Sequence, residues 1–225
     1  MKILKFITIL LLLIGCSENN NRTTEFDKIL GKENSQTLDL LLSEFENDFL
    51  KRQYPELEKN KAYKKFVSEI SLGETSHFVK ISKKHKDLLT KNTLYHEIYC
   101  VMDSTWIEKN PWNDKTLLVK GRTKCLKLDG TYENGSMEMP FDEREISKDS
   151  IKKKYMTFVE TNYTGKYLKA LNSISGESDF LKSFVKDRND FGIIPGEFIA
   201  KRMLTHNVDF DDYYIQRIIA LELSY

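Results

Sequence analysis

Apolar side chains recur three and four positions apart through most of this chain. That spacing restricts its fold more than any other feature, because it gives a helix one buried face and denies a strand its alternation. Leu38, Leu41, Leu42, Phe45 and Phe49 share such a face between Asn34-Ser35 and Pro55. Tyr63, Phe66, Val67 and Ile70 repeat it and stop at Leu72-Gly73, where glycine can close a helix in the left-handed conformation. A helical hairpin around Pro55 follows. From Ser76 to Asn92, the residues Phe78, Ile81, His85, Leu88 and Leu89 make another face, with a short strand over Phe78 to Ile81 as the alternative. After Ser147 the pattern returns as Ile151, Tyr155, Phe158 and Val159, then Tyr167, Leu168, Leu171 and Ile174, then Phe180, Leu181, Phe184 and Val185 before Gly192. Pro195 suits a first helical turn, where its missing N–H costs nothing, and Phe198, Ile199, Met203 and Leu204 give that helix its face. Tyr214, Ile215, Ile218, Ile219, Leu221 and Leu223 cover over half of the last helix, which places it at the centre of the core.

The stretch from Thr93 to Pro140 departs from this plan. It holds Trp106, Trp112, the Asn110-Pro111 breaker and the turn pair Asp129-Gly130. Cys125 to Leu128 and Thr131 to Met139 would pair across Asp129-Gly130, since that dipeptide tolerates the positive φ angles of a two-residue turn. Asn134-Gly135 would centre a hairpin differently, so the register stays open. The fold expected is mainly α, a bundle or array of short amphipathic helices with a small β-hairpin admitted in the middle. A faint echo between Gly121-Arg-Thr-Lys-Cys-Leu and Gly165-Lys-Tyr-Leu-Lys-Ala-Leu has no third copy, and a repeat array needs at least about three.

The chain is 40% hydrophobic and 31% charged, which excludes a disordered or collagen-like polymer. Lys+Arg 35 against Asp+Glu 34 gives a net charge of +1 and no basic field, so nucleic acid is not an expected partner.

The N-terminus carries an address. Lys2 and Lys5 precede an apolar run from Phe6 to Ile14 broken only by Thr8, then Gly15 and Cys16. The run is about half of the roughly 20 apolar residues that a membrane-spanning helix needs, and it follows the plan of a signal peptide. Leu13-Ile14-Gly15-Cys16 resembles the lipobox of bacterial lipoproteins. The resemblance implies removal of residues 1–15 and lipidation of Cys16 as the new N-terminus, with commonly a third chain on its amine. At about 0.8 kcal/mol per buried methylene, two or three acyl chains hold a protein on a bilayer far more firmly than one. Cleavage would remove two lysines and no acid, leaving a body one charge negative. Ser17 beside the cysteine resembles the class of lipoproteins that moves to an outer membrane. Residues 16–33 then read as acylated cysteine and flexible tether, and 34–225 as one helix-rich globular domain. The helix-rich body and leader together resemble small uncharacterised lipoproteins of Gram-negative envelopes, a likeness that supplies a setting and no catalytic residues.

With Cys16 assigned to lipid, Cys100 and Cys125 are left as one permitted disulfide in an oxidising compartment, or as two separately buried thiols. The remaining motifs favour structure over chemistry. Asp209, Asp211 and Asp212 lack the glycine and distal glutamate of an EF-hand, so Asp209 is expected to cap the last helix with the other two in its first turn. His96-Glu97 begins a zincin-like pattern, but position 100 is cysteine, and two ligands do not fill a zinc shell. His77, His85 and His206 share no ligand spacing with it. Lys80, Lys83, Lys84 and Lys86, and Lys152 to Lys154, are small basic clusters diluted by nearby acids, read as solvated faces rather than lipid contacts. Ser150/Lys153 and Ser183/Lys186 lack the accompanying elements of a serine–lysine enzyme, and Glu138 and Asp142 are scattered acids. No metal and no cofactor is expected. The function expected is a non-enzymatic envelope lipoprotein that binds or protects another protein or a glycan, anchored to the membrane through Cys16. The alternative is a lipid-anchored cell-wall or glycan hydrolase whose residues converge from distant positions.

Overall fold

The structure is a computed structural model that describes residues 25–74 and 81–224. A helical segment at 25–30 leads into α1 (Lys32–Glu44), which runs on through a wider π-helical turn (Phe45–Leu50) to Lys51–Gln53. After the turn at Pro55 come α2 (Lys59–Ser71), α3 (Lys83–Thr90) and α4 (Thr93–Ile98). Strands β1 (Tyr99–Lys109), β2 (Leu117–Leu126) and β3 (Tyr132–Phe141) follow, then α5 (Lys148–Met156) and β4 (Val159–Thr161). The chain ends with α6 (Lys166–Ile174), α7 (Asp179–Phe191), α8 (Gly196–Thr205) and α9 (Tyr213–Glu222). The architecture is mainly α with one β element.

The helical stripes become the main core. Phe45, Phe49 and Phe66 meet ring against ring at centroid distances of 5.2 to 5.4 Å, geometries that aromatic quadrupoles favour. Helix α8 lies along α2, and α9 lies against α1 with Tyr214 to Leu221 buried without a break. Phe26 and Leu30 are also buried in this core, so the folded body begins before residue 34 and the segment 25–30 is not tether. The strand alternative at Phe78 to Ile81 falls largely outside the described residues. Lys83–Thr90 is helical, started by Ser82, whose hydroxyl accepts the His85 amide.

The middle holds more than a hairpin. The four strands form one antiparallel sheet in the order β3-β2-β1-β4. Of the two competing turn pairs, Asp129-Gly130 makes the bend: Gly130 has φ 82°, the Lys127 amide donates to the Thr131 carbonyl, and the Lys127 carbonyl accepts from the Gly130 amide. Asn134-Gly135 lies inside β3. Helix α5 covers one face of the sheet, packing Ile151 and Tyr155 on Met102, Val119 and Phe141 as a second, smaller core. The other face carries cross-strand ion pairs, Lys120 with Glu108 and Glu138, and Asp103 with Arg122 and Lys124. The periodicity of Ile151, Tyr155, Phe158 and Val159 overran its helix, which ends at Met156, so that Val159 starts β4. The segments that echoed one another are a strand at Gly121 and a helix start at Gly165, so they are no repeat.

Candidate binding site

Helix α5 is shorter than the strands it covers, and the end of the sheet nearest the helical body is left open. The register brings four side chains into a row there. Cys125 stands opposite Glu133 on one side and, continuing the β1–β2 pairing, opposite Cys100 on the other; Cys100 stands opposite Glu160. Directly opposed residues point to the same face, so the row runs Glu133, Cys125, Cys100, Glu160 across all four strands. Cys100 and Cys125 are joined by a disulfide, with Cα atoms 4.3 Å apart. They form the floor of a groove of about 450 Å³.

The walls come from two turns. On one side are Phe158, β4 and the turn Asn162 to Thr164; on the other is the α7–α8 connection, Phe191 to Ile193. Asn162 is buried and fixes its turn by donating to the carbonyls of His96 and Leu126, at 2.8 and 2.7 Å. Gly192 adopts φ 72°, open to glycine with little strain, and its carbonyl accepts a bond from the buried Arg188. A Cβ there would come within 2.9 Å of the Tyr163 hydroxyl, so the two walls touch at this point. Phe158, Tyr163, Phe191 and Ile193 all border the groove and are 43, 55, 75 and 45% exposed. Large apolar side chains brought together on a surface mark a place where something else docks.

The groove is acidic. Among the described residues, Glu133 and Glu160 are the only charged ones that line it, and no ion pair between described residues involves either. Thr161 lines it as well, buried, with its hydroxyl lacking a hydrogen-bond partner. Groups of these kinds offer negative charge, aromatic faces and a hydroxyl.

The residues expected to matter are dispersed or outside this view. Cys16, the lipidation position, lies outside the described residues. His96, on α4, is half-buried, its imidazole pKa pushed down by burial, with its ring 6.5 Å from that of Tyr132. Cys100, whose sulfur is held by Cys125, gives it no thiolate partner. Among the described residues no cluster of histidine, cysteine and acidic side chains is arranged to hold a metal. Asp212, not Asp209, caps the last helix, accepting from the amides of Tyr214 and Ile215, while Asp209 accepts from the amide of Asp211 in the preceding turn. Pro195 sits one position before its expected place, as the N-cap of α8, and Phe198 faces outward. Ser150 bonds Ser147, and Ser183 donates to the Phe180 carbonyl while Lys186 pairs with Asp190, so neither serine has its lysine. Glu138 pairs with Lys120 and Asp142 with Arg144, which separates those two acids. Lys83, Lys84 and Lys152 are likewise engaged, with Asp87, Glu44 and Asp149. Among the described residues no helix is long and apolar enough to cross a membrane.

The residues that build the groove were not separable in the sequence. Phe158 and Val159 fit a helical stripe, and Glu133 and Glu160 are two acids among 34 acidic residues. Only strand register puts them in a row. Comparison of the chain with protein-family models, with curated proteins and with solved structures found no match.

Proposed function

We propose that this chain is a lipid-anchored envelope protein that acts as a binding module, held at a membrane by acylated Cys16 and engaging a partner with its folded body. The observation that carries the binding half is the groove over Cys100 and Cys125, where Phe158, Tyr163, Phe191 and Ile193 converge with large exposed surfaces. Aromatic side chains are the residues that most often anchor an interface. The location rests on Leu13-Ile14-Gly15-Cys16 and the signal-peptide plan before it. The test is crosslinking in cells followed by recovery of the full-length protein from solubilised envelope, compared with Cys16→Ala. Expected are an acylated N-terminal Cys16 peptide by mass spectrometry and one dominant crosslinked partner, both lost in the variant. A wild-type N-terminus still carrying residues 1–15, or an envelope free of any crosslinked partner, would overturn the proposal.

One observation favours a hydrolase as the second reading, since a concave site with two carboxylates is present. Glu133 and Glu160 stand three strand spacings apart, about 14 Å between backbones, whereas glycosidase carboxyl groups work at roughly 5 to 9.5 Å. Release of soluble fragments from purified peptidoglycan, abolished by Glu133→Gln or Glu160→Gln, would establish it.

A further inference from the structure

Strand β4 is an edge, and its three residues line the groove, Val159 and Glu160 part-exposed and Thr161 nearly buried beside Gly192. The Asn162 amide donates to the Ile98 carbonyl, and Glu160 is opposite Cys100, so the backbone groups of residues 160 and 162 turn toward β1. By the alternation of antiparallel pairing, those of Val159 and Thr161 turn the other way. Outside the sheet ladder, no backbone hydrogen bond between described residues uses the Val159 or Thr161 amide. An edge strand with outward amides, bordered by aromatic pockets, is the arrangement by which folded domains add an extended peptide as one more strand.

The charge pattern decides which peptide. Glu133 and Glu160 sit at the two ends of the row with the disulfide between them, and no described lysine or arginine lines the groove to neutralise them. An acidic segment would bring like charge into a partly desolvated groove. A basic one gains both ion pairs and aromatic faces, which attract ammonium and guanidinium groups. Resting on the binding function proposed above, we infer that this groove takes an extended peptide segment of a partner protein in which lysine or arginine alternates with apolar residues. The segment pairs with the free edge of β4, sets a basic side chain toward Glu160 of that strand, and packs its apolar ones against Phe158 and Phe191.

The experiment uses the full-length protein in detergent micelles and fluorescence anisotropy. The probe is a short fluorescein-labelled peptide of alternating lysine and valine, with the same peptide carrying glutamate for lysine as its control. Expected is saturable binding of the lysine peptide and none of the glutamate peptide. Glu160→Gln should weaken binding by roughly tenfold, the equivalent of about 1.4 kcal/mol, and Glu133→Gln, three strands away, distinctly less. Val159→Pro removes an amide that β1 does not use and should weaken binding as strongly, with an unchanged circular dichroism spectrum as the check on folding. Phe191→Ser, at a side chain 75% exposed, is the variant least able to disturb the fold and should also weaken it. Equal affinity for the two peptides, or full affinity in Glu160→Gln, overturns the inference. Displacement of the lysine peptide by spermine together with full affinity in Val159→Pro overturns it too, and assigns the groove to small amines. A partner recovered by crosslinking in cells while the peptide fails to bind removes this inference and leaves the binding function standing. Peptide binding in vitro with no partner in cells does the reverse.

Discussion

Gly165 shows how one atom sets a junction. Its dihedrals, φ −79° and ψ 162°, are open to any residue, so conformational freedom is not what it supplies. Space is: a Cβ at this position would lie 2.1 Å from the Glu97 carbonyl oxygen and 2.9 Å from Asn162 Nδ2. Gly165→Ala must push apart α4 and the turn that walls the groove, and should cost about 1–3 kcal/mol, the range of an overpacked core site, read as a lower urea midpoint. The same crowding explains why Glu97 is buried. Its carboxylate accepts from the Lys166 amide at 2.7 Å, placing negative charge on the N-terminus of α6. His85 is the titrating residue of the core. It is buried with Nε2 2.7 Å from Ser224 Oγ, and burial pushes its pKa down, opposed by the Ala220 carbonyl and by Glu44 and Asp48, and aided by Lys86. A histidine harder to protonate when folded contributes stability that is whole above the unfolded pKa of about 6.5 and is lost as pH falls below it. Unfolding midpoints should therefore drop from pH 7.5 to pH 5 more steeply in the native chain than in His85→Gln, since the ordinary aspartate range lies lower. Equal slopes would remove His85 as the cause, leaving His96, which burial shifts the same way. Neither role was legible in the sequence, because a lone histidine or glycine reads alike wherever it lies.

Helices were legible throughout and strands only where the Asp129-Gly130 turn marked them, for reasons found in particular elements. Each helix buries one stripe against the main core, so spacing alone locates Phe180, Leu181, Phe184 and Val185 on α7 and Tyr167, Leu168, Leu171 and Ile174 on α6. Strand β1 should have shown alternation, but a bulge between Met102 and Ser104 shifts its phase, so that Met102, Thr105 and Ile107 share the face toward α5 and Trp106 turns away. Strand β3 is almost wholly exposed and had no apolar signal to give. Cap positions were legible to within a few residues only: three aspartates precede α9, and the choice of Asp212 depends on where the turn places its carboxylate. Asp212→Ala should cost about 1 kcal/mol and Asp209→Ala distinctly less, because only Asp212 bonds two amides of α9. The disulfide acts at this scale as well, pinning β1 to β2 across a separation of 25 residues. Its removal in Cys100→Ser/Cys125→Ser should lower stability by about 3 kcal/mol in the chain-entropy model, measured against the native chain without reductant.

Across the whole molecule, the helical body and the groove meet at one buried ion pair. Arg188 of α7 and Glu222 of α9 are 1 and 3% exposed, with 3.4 Å between Nη1 and Oε2. Tyr167 of α6 donates its hydroxyl to the same carboxylate, Arg188 lies 5.8 Å from the Tyr99 ring centre at the start of β1, and its guanidinium also holds the Gly192 carbonyl. Helices α6, α7 and α9, the sheet and the wall of the groove thus share one polar centre inside an apolar core. Sequence could not reveal it, since Arg188 sits in Lys-Asp-Arg-Asn-Asp, a run that reads as a solvated face. Two charges removed from water are costly to bury and costlier still to separate, because removing one leaves the other without compensation. Arg188→Met should therefore destabilise the chain by about 3–5 kcal/mol and loosen the Phe191 to Ile193 wall, whereas Arg188→Met/Glu222→Leu, which removes both charges, should regain most of that loss. Urea unfolding gives the stability of each variant, and anisotropy with the lysine peptide reports the wall. If the double variant recovers stability but not peptide binding, Arg188 serves the groove through Gly192 as well as the core through Glu222; if it recovers both, the pair serves the core alone.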